Sequence, residues 1–269
     1  MLSPEELSAL ALSAKVALWA TLLCLPFAIA VAWSLVHLQF RLKFLLEACL
    51  QLPMVLPPVV LGYGLLVLFG NQGWIGHSLQ QFGIQLAFNW KGAVLASMVV
   101  AFPLMVQPIK LSFQLIDQRL EHVAASLGAN PWQVFYSVSL PMAIPGMIIG
   151  SILCFSRSLG EFGATITFVG NIPNETRTVP IAIYSLLQQP DGEQMALRLV
   201  MLSVALSGVL VVLLHDVRRR TAAEQALAEA LAFRKAMEDS LVTGLRARSS
   251  DGRITHVNAA FCRMVGFSA

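Results

Sequence analysis

Residues 16–36 have the sequence VALWATLLCLPFAIAVAWSLV, a run without a charged side chain. About 20 apolar residues in a helix cross the roughly 30 Å hydrocarbon layer of a membrane. The run is too long for a cleavable signal peptide, and it follows Glu5 and Glu6 instead of a basic segment. It therefore predicts a first membrane-spanning helix, which we expect to extend back to about Leu10.

Four further segments are long and apolar enough to cross a bilayer as helices. They lie within residues 48–70, within 92–109, near 143–163 and near 195–214. The sequence thus predicts an all-α membrane protein with five transmembrane helices. The segment 165–194, between the last two, is predicted to be a loop with a short helix around residues 181–187.

Charged residues divide the chain into two parts of different character. Charged residues occupy 19 of the 217 positions in residues 1–217 but 14 of the 52 positions in residues 218–269. In a typical soluble domain about 25% of the residues are charged. We predict a transmembrane domain at 1–217, a linker helix at 218–243 and a short fragment of soluble character at 244–269. The net charge of +3 excludes a nucleic-acid partner bound through bulk charge.

The positions of Lys and Arg in the short loops predict the orientation in the membrane. Cytoplasmic loops carry an excess of these residues. Basic residues follow the first, third and fifth predicted spans, with Lys91 and Arg177 as the exceptions elsewhere: Arg41, Lys43, Lys110, Arg119, Arg218, Arg219 and Arg220. We therefore expect the N-terminus outside and the C-terminus in the cytoplasm.

Three prolines interrupt the second predicted span, at Pro53, Pro57 and Pro58. Each removes a backbone donor and bends a helix. Irregular backbone at membrane depth is tolerated where it faces protein or a water-filled path. The prolines are therefore candidates for a transport pathway or gate, and a helix kinked only for packing is the alternative.

The loop between the third and fourth spans has the signals of two short helices joined by a tight turn. Gly128 suits the left-handed end of the first helix. Asn130 suits the N-cap and Pro131 the first position of the second, predicted over residues 131–138. The small residues Ala124 and Ala125 permit close approach of another protein, although an interfacial hairpin without a partner is equally consistent with the pattern.

The spacing in this loop resembles the EAA loop of ABC importer permeases. Val138 lies 10 residues after Gly128, and Leu140 and Pro141 follow at 12 and 13, as in that family. The first triplet departs from the pattern, because His122 begins it and Glu121 is displaced by one. The resemblance implies that roughly residues 119–134 form a coupling helix that docks into a cytoplasmic ATPase, through this set: Glu121, His122, Ala124, Ala125, Gly128, Leu140 and Pro141.

A second stretch is similar to molybdate permease subunits of the ModB type. It consists of SRSLGEFGATITFVGNIP at 156–173 and ETRT at 175–178, and the likeness extends over about residues 5–217. The resemblance implies a type I, MetI-like permease in the bacterial inner membrane. Its implied partners are a second copy, two ATPase subunits and a periplasmic oxyanion-binding protein. Molybdate is the implied cargo, and sulfate, thiosulfate or tungstate is the alternative.

Arg157 and Glu161 are the charged residues in or near the end of the fourth span. Being four residues apart, they share one helix face and can pair. Charges within a membrane are costly and suggest function, so the pair is a candidate for the pathway or its gate. The alternative, which we favour, is a structural lock, because Glu161 cancels most of the field that Arg157 presents to a dianion.

We identify no motif for catalysis, metal binding or nucleotide binding in the sequence. Cys24, Cys49, Cys154 and Cys262 lack metal-ligand spacing and are predicted to be small packing residues. The phosphate-binding loop pattern is missing from the sequence. We therefore expect a transport subunit without a cofactor, whose ATP is bound by a separate partner chain.

The tail resembles the beginning of a PAS sensor domain. A helix over residues 221–242 precedes two alternating stretches at 245–248 and 253–257, which predict a hairpin because an Asp-Gly step lies between them. Residues 258–266 are predicted to be a short helix. Since only the beginning of such a domain is matched, we expect no haem or flavin. A membrane-anchored sensor is the alternative function from a different class.

Overall fold

The computed structural model describes residues 3–38, 41–190, 192–240, 246–248 and 254–257. The chain divides into two compact units, residues 1–214 and 215–269. In chain order, the helices and strands are α1 (Pro4–His37), α2 (Lys43–Val55), α3 (Pro58–Phe69), α4 (Trp74–Gln81), α5 (Trp90–Gln114), α6 (Gln118–Ser126), α7 (Pro131–Val134), a π-helical turn (Phe135–Ser139), α8 (Leu140–Met142), α9 (Ile144–Leu159), α10 (Gly163–Val169), α11 (Val179–Leu187), α12 (Glu193–Ser240), β1 (Arg246–Arg248) and β2 (Ile254–Val257).

Helix α1 begins earlier than its apolar pattern predicts. Ser3 is its N-cap: the Ser3 hydroxyl accepts from Glu6 N at 3.2 Å, and the Glu6 carboxylate accepts from Ser3 N at 2.6 Å. This reciprocal capping satisfies two backbone donors that the first turn leaves free. The helix therefore starts at Pro4 instead of about Leu10.

Helices α1, α5 and α9 pack together as the centre of the first unit. The α1 face in this core includes a series of small side chains, Ala17, Ala20, Cys24 and Ala28, all fully buried. Small residues allow membrane helices to approach closely where lipid supplies no hydrophobic drive for association. The most buried membrane-length helix is α5.

The predicted spans correspond to three long helices and two bent pairs. Within the described residues, α1, α5 and the first part of α12 are each long and apolar enough to cross a membrane. The pair α2 and α3 is bent by 113°, and the pair 131–142 and α9 by 63°. Five spans result if each bent pair counts as one, so that number stays a prediction.

The break between α2 and α3 is sharper than the kink that the prolines predict. Leu56 and Pro57 both adopt extended ψ angles, 140° and 132°. A residue before proline is disfavoured in the helical region, and each of these two precedes one. The segment 48–70 is therefore two short helices instead of one continuous span, with Pro53 inside α2 and Pro58 opening α3.

The fourth predicted span is also shorter than expected, because α9 ends at Leu159 and α10 starts at Gly163. The short helix expected around residues 181–187 is confirmed as α11. The predicted fifth span and linker helix are one continuous helix, α12.

In the second unit, β1 and β2 pair in antiparallel fashion, with Arg246 opposite Val257 and Ala247 opposite His256. The predicted strand pairing is therefore confirmed for these residues. The Asp-Gly turn, the helix expected at 258–266 and Cys262 lie outside the described residues, and the likeness to a PAS domain stays a prediction.

Candidate functional sites

The loop between α5 and α9 forms the two helices that its capping signals predict. The Asp117 side chain accepts from Arg119 N at 2.9 Å and caps α6. Gly128 has a φ of +92°, the left-handed conformation that ends a helix. Asn130 and Gln133 then form a reciprocal capping box around Pro131. We refer to residues 118–134 as the α6–α7 segment.

Large apolar side chains of the α6–α7 segment are exposed. Leu127 is 83% exposed, Trp132 71% and Val123 56%. His122, Ala125 and Gly128 are also exposed, whereas Ala124 and Leu140 are partly buried and Pro141 is exposed in α8. An apolar exposed surface of this kind marks a site of protein or membrane contact.

Glu121 differs from the rest of the predicted docking set because its side chain faces the bundle. Its Oε1 accepts a hydrogen bond from the Ser139 hydroxyl at 2.5 Å. The same oxygen lies 3.4 Å from His37 Nε2 at the end of α1. The carboxylate therefore lies where α1, α6 and the π-helical turn meet. His37 and Glu121 are 84 residues apart, so no spacing rule links them in the sequence.

Aromatic rings surround this meeting point. The His37 ring stacks on Trp33 at 5.0 Å between centroids and lies edge-on to Phe113 at 6.2 Å. Phe135 of the π-helical turn contacts both Trp33 and Phe113. The helix predicted through residue 138 widens into this turn because Pro141 lacks an N–H and its ring clashes with the carbonyl four residues earlier.

Arg157 and Glu161 pair as predicted, although not on one continuous helix. Arg157 Nη1 lies 2.7 Å from Glu161 Oε2, and the Glu161 side chain is 1% exposed. The other oxygen, Oε1, accepts from Ala164 N at 2.9 Å. Glu161 therefore joins the last turn of α9 to the first turn of α10.

The first turn of α10 in turn packs against α3. A Cβ added to Gly163 lies 2.8 Å from Pro58 Cβ, and one added to Gly62 lies 2.5 Å from the Ala164 carbonyl oxygen. Of the three candidate prolines, Pro58 lies against the start of α10 at Gly163. Pro53 is partly buried within α2, and Pro57 is exposed in the break.

Among the described residues of the first unit, three further ion pairs connect separate segments, and Arg177 in one of them lies in the loop before α11. Lys110 Nζ lies 2.6 Å from Glu47 Oε1, between α5 and α2. Glu6 lies 3.7 Å from Arg198, and Glu5 lies 3.9 Å from Arg177. In the part of the chain that the structure describes, no group of three or more His, Cys, Asp or Glu side chains is arranged to hold a metal ion.

Long and broken apolar helices, with a two-helix loop between two of them, define a membrane protein built from several helices. The chain belongs to the family of binding-protein-dependent transport system inner membrane components, whose model matches residues 24–221. That range contains both candidate sites. The all-α permease fold expected from the sequence is thereby confirmed.

The chain is also similar to individual members of this family. It is 53% identical over 208 residues to the molybdenum transport system permease protein ModB of Escherichia coli K12, covering 77% of this chain and 91% of the relative. It is 52% identical over 203 residues to ModB of Haemophilus influenzae, covering 75% and 89%.

Among solved structures, a bacterial alginate ABC transporter in complex with its pentasaccharide-bound periplasmic protein matches with a TM-score of 0.63. The match covers 81% of this chain and 80% of that chain at 18% identity. It supports the fold alone.

Proposed function

We propose that the chain is the permease subunit of an ATP-driven molybdate importer, which passes the anion from a periplasmic binding protein to the cytoplasm. The 53% identity to a molybdenum transport permease over 208 residues carries this proposal. The likeness covers about nine-tenths of that relative, so the cargo is inferred from a nearly complete counterpart.

The α6–α7 segment is the proposed docking site for the ATPase. Its exposed Leu127, Trp132 and Val123 supply apolar contact area, and tryptophan is among the residues that dominate the free energy of protein–protein contacts. Ala125 and Gly128 let the partner backbone approach closely. Movement of a docked ATPase would then displace α6 relative to α1 and α9.

We further propose a homodimer with the pathway between two copies, two docked ATPase subunits and a binding protein on the outer side. The membrane-length part of α12 is only 6% buried within the chain, which leaves its surface for lipid or for the second copy. The excess of Lys and Arg after spans one, three and five supports an outer N-terminus and a cytoplasmic C-terminus.

In this proposal the pair Arg157–Glu161 is a lock beside the pathway instead of an anion site. A carrier must release its cargo, and a buried carboxylate within 2.7 Å of the guanidinium neutralises most of its field.

Pro53, Pro57 and Pro58 shape the break between α2 and α3. Residues 1–217 form the permease, 218–243 a linker helix and 244–269 a PAS-like fragment.

The test is uptake by the full chain reconstituted in proteoliposomes with its ATPase and binding protein. We expect labelled molybdate to accumulate when ATP is present and not to accumulate without it. Sulfate should compete only weakly for uptake. Uptake of sulfate or tungstate with exclusion of molybdate would overturn the cargo. Failure of the solubilised full chain to retain an ATPase subunit would overturn the importer and favour a sensor.

A further inference from the structure

We infer that Glu121 is a positioning residue, which ties the α6–α7 segment to the end of α1 through His37 and to the π-helical turn through Ser139. The inference rests on the proposed function, because it assigns Glu121 the transfer of ATPase movement to the bundle. Glu121 is one position away from the triplet in which the EAA pattern has its glutamate.

The contacts of Glu121 connect three elements through one oxygen. Its Oε1 lies 2.5 Å from Ser139 Oγ and 3.4 Å from His37 Nε2. The side chains of His37 and Glu121 are 23% and 19% exposed. Their interaction is therefore largely shielded from water. An ion pair that is exposed to water contributes little to stability, and this contact differs from such a pair.

Both nitrogens of the His37 ring face oxygen atoms of neighbouring groups. Nδ1 lies 3.1 Å from the Trp33 carbonyl oxygen within α1, and Nε2 lies 3.4 Å from Glu121 Oε1 of α6. The ring therefore bridges the last turn of α1 and the α6–α7 segment. Among the described residues, Glu121 is the one acidic side chain within 4 Å of the ring nitrogens.

The His37 ring is also held from behind. It stacks on Trp33 within α1 and lies edge-on to Phe113 of α5. Phe135 contacts Trp33 from the π-helical turn. A displacement of α6 therefore moves the Glu121 carboxylate against a fixed ring, and the force passes to α1 and to the turn that leads into α9.

The neighbouring His122 does not share this position, because its side chain is exposed. The displaced acidic residue therefore has a different use from the exposed members of the predicted docking set. Those residues present a surface to a partner, whereas Glu121 connects that surface to the transmembrane helices.

The test compares Glu121→Gln, His37→Gln and the double variant in the reconstituted importer. Glutamine at 121 keeps the size and the acceptor for Ser139 but removes the negative charge. We expect each single variant to retain its ATPase and to hydrolyse ATP, while molybdate carried per ATP falls about fivefold or more, the lower end of typical coupling between sites. The double variant should lose no more than either single variant, because both remove the same interaction.

Lys110→Gln is the matched control, since it removes another partly shielded ion pair between helices, Lys110–Glu47. We expect it to leave molybdate carried per ATP unchanged. A ratio at the wild-type value in Glu121→Gln, an equal loss in Lys110→Gln, or additive losses in the double variant would overturn the inference.

Uptake by the unmodified chain tests the proposed function separately. If that chain carries sulfate or tungstate in place of molybdate, the cargo is overturned, while the ratio for the carried anion still tests Glu121. If it carries no anion, both proposals fail.

Discussion

The Arg157 guanidinium lies 2.7 Å from Oε2 of Glu161, whose side chain is 1% exposed. The other carboxylate oxygen, Oε1, accepts a hydrogen bond from Ala164 N in the first turn of α10. Because α10 packs against α3 at Gly62 and Gly163, the Glu161 side chain connects α9, through α10, to α3. Helix α3 is the second helix of the bent α2–α3 pair. This geometry supports the proposed role of the ion pair as a structural lock beside the break.

Replacement of Arg157 by alanine leaves a buried carboxylate without its charged partner. Removing one member of such a pair costs about 3 kcal/mol of stability. We expect the thermal stability of the detergent-solubilised subunit, complex assembly and molybdate uptake to fall together. Scanning fluorimetry, co-purification and uptake measure the three quantities independently.

The double variant Arg157→Gln with Glu161→Gln is the control for this prediction. It removes both charges and keeps an acceptor for Ala164 N, so a structural lock predicts that assembly and uptake both recover in part. Normal assembly of Arg157→Ala with complete loss of uptake would instead place Arg157 in the pathway.

Close contact between α3 and α10 gives a second prediction. A Cβ at Gly62 lies 2.5 Å from the Ala164 carbonyl oxygen, whereas a Cβ at Gly64 has no atom within 4 Å. We expect Gly62→Ala to lower stability by about 1–3 kcal/mol through overpacking. Gly64→Ala, in the same helix, should be neutral or raise stability by up to about 1 kcal/mol. Equal melting temperatures for the two variants would contradict the packing.

Sequence reasoning predicted the features that depend on neighbouring residues. Gly128, Asn130 and Pro131 define a helix end and a helix start within a few positions, and the structure has both. The contact between His37 and Glu121 depends on how distant helices pack. No local spacing encodes it.

The two prolines at the α2–α3 break illustrate an intermediate case. They predict a bend, but its size of 113° depends on where α3 finds its partner, and that partner is α10 at Gly163 and Ala164. The π-helical turn is similar, since Pro141 removes a donor without determining how the helix adapts.

The tail supplies a third prediction. The family model ends at residue 221, and the two units divide at residue 214. We expect a chain that stops after residue 221 to insert, to bind its ATPase and to import molybdate at the full-length rate. A large drop or rise in uptake, with equal amounts of subunit in the membrane, would mean that residues 222–269 regulate transport.

Gly128 supplies the last prediction, on ATPase docking. Its φ of +92° is a conformation that β-branched residues avoid and that asparagine tolerates best among side-chain-bearing residues. Nothing lies within 4 Å of a Cβ at this position, so the effect of a substitution comes from backbone strain instead of a clash within the subunit.

We therefore expect Gly128→Val to distort the turn between α6 and α7 at a cost of about 1–2 kcal/mol, and to reduce co-purification of the ATPase severalfold. Gly128→Asn should retain most of the binding. Ser126→Ala, an exposed change in the same helix end, is the control for general disturbance of the segment. Because the strain is confined to an exposed turn, the melting temperature of the subunit should fall only slightly, whereas ATPase binding falls severalfold. Normal ATPase binding by Gly128→Val would show that this turn is not the docking surface.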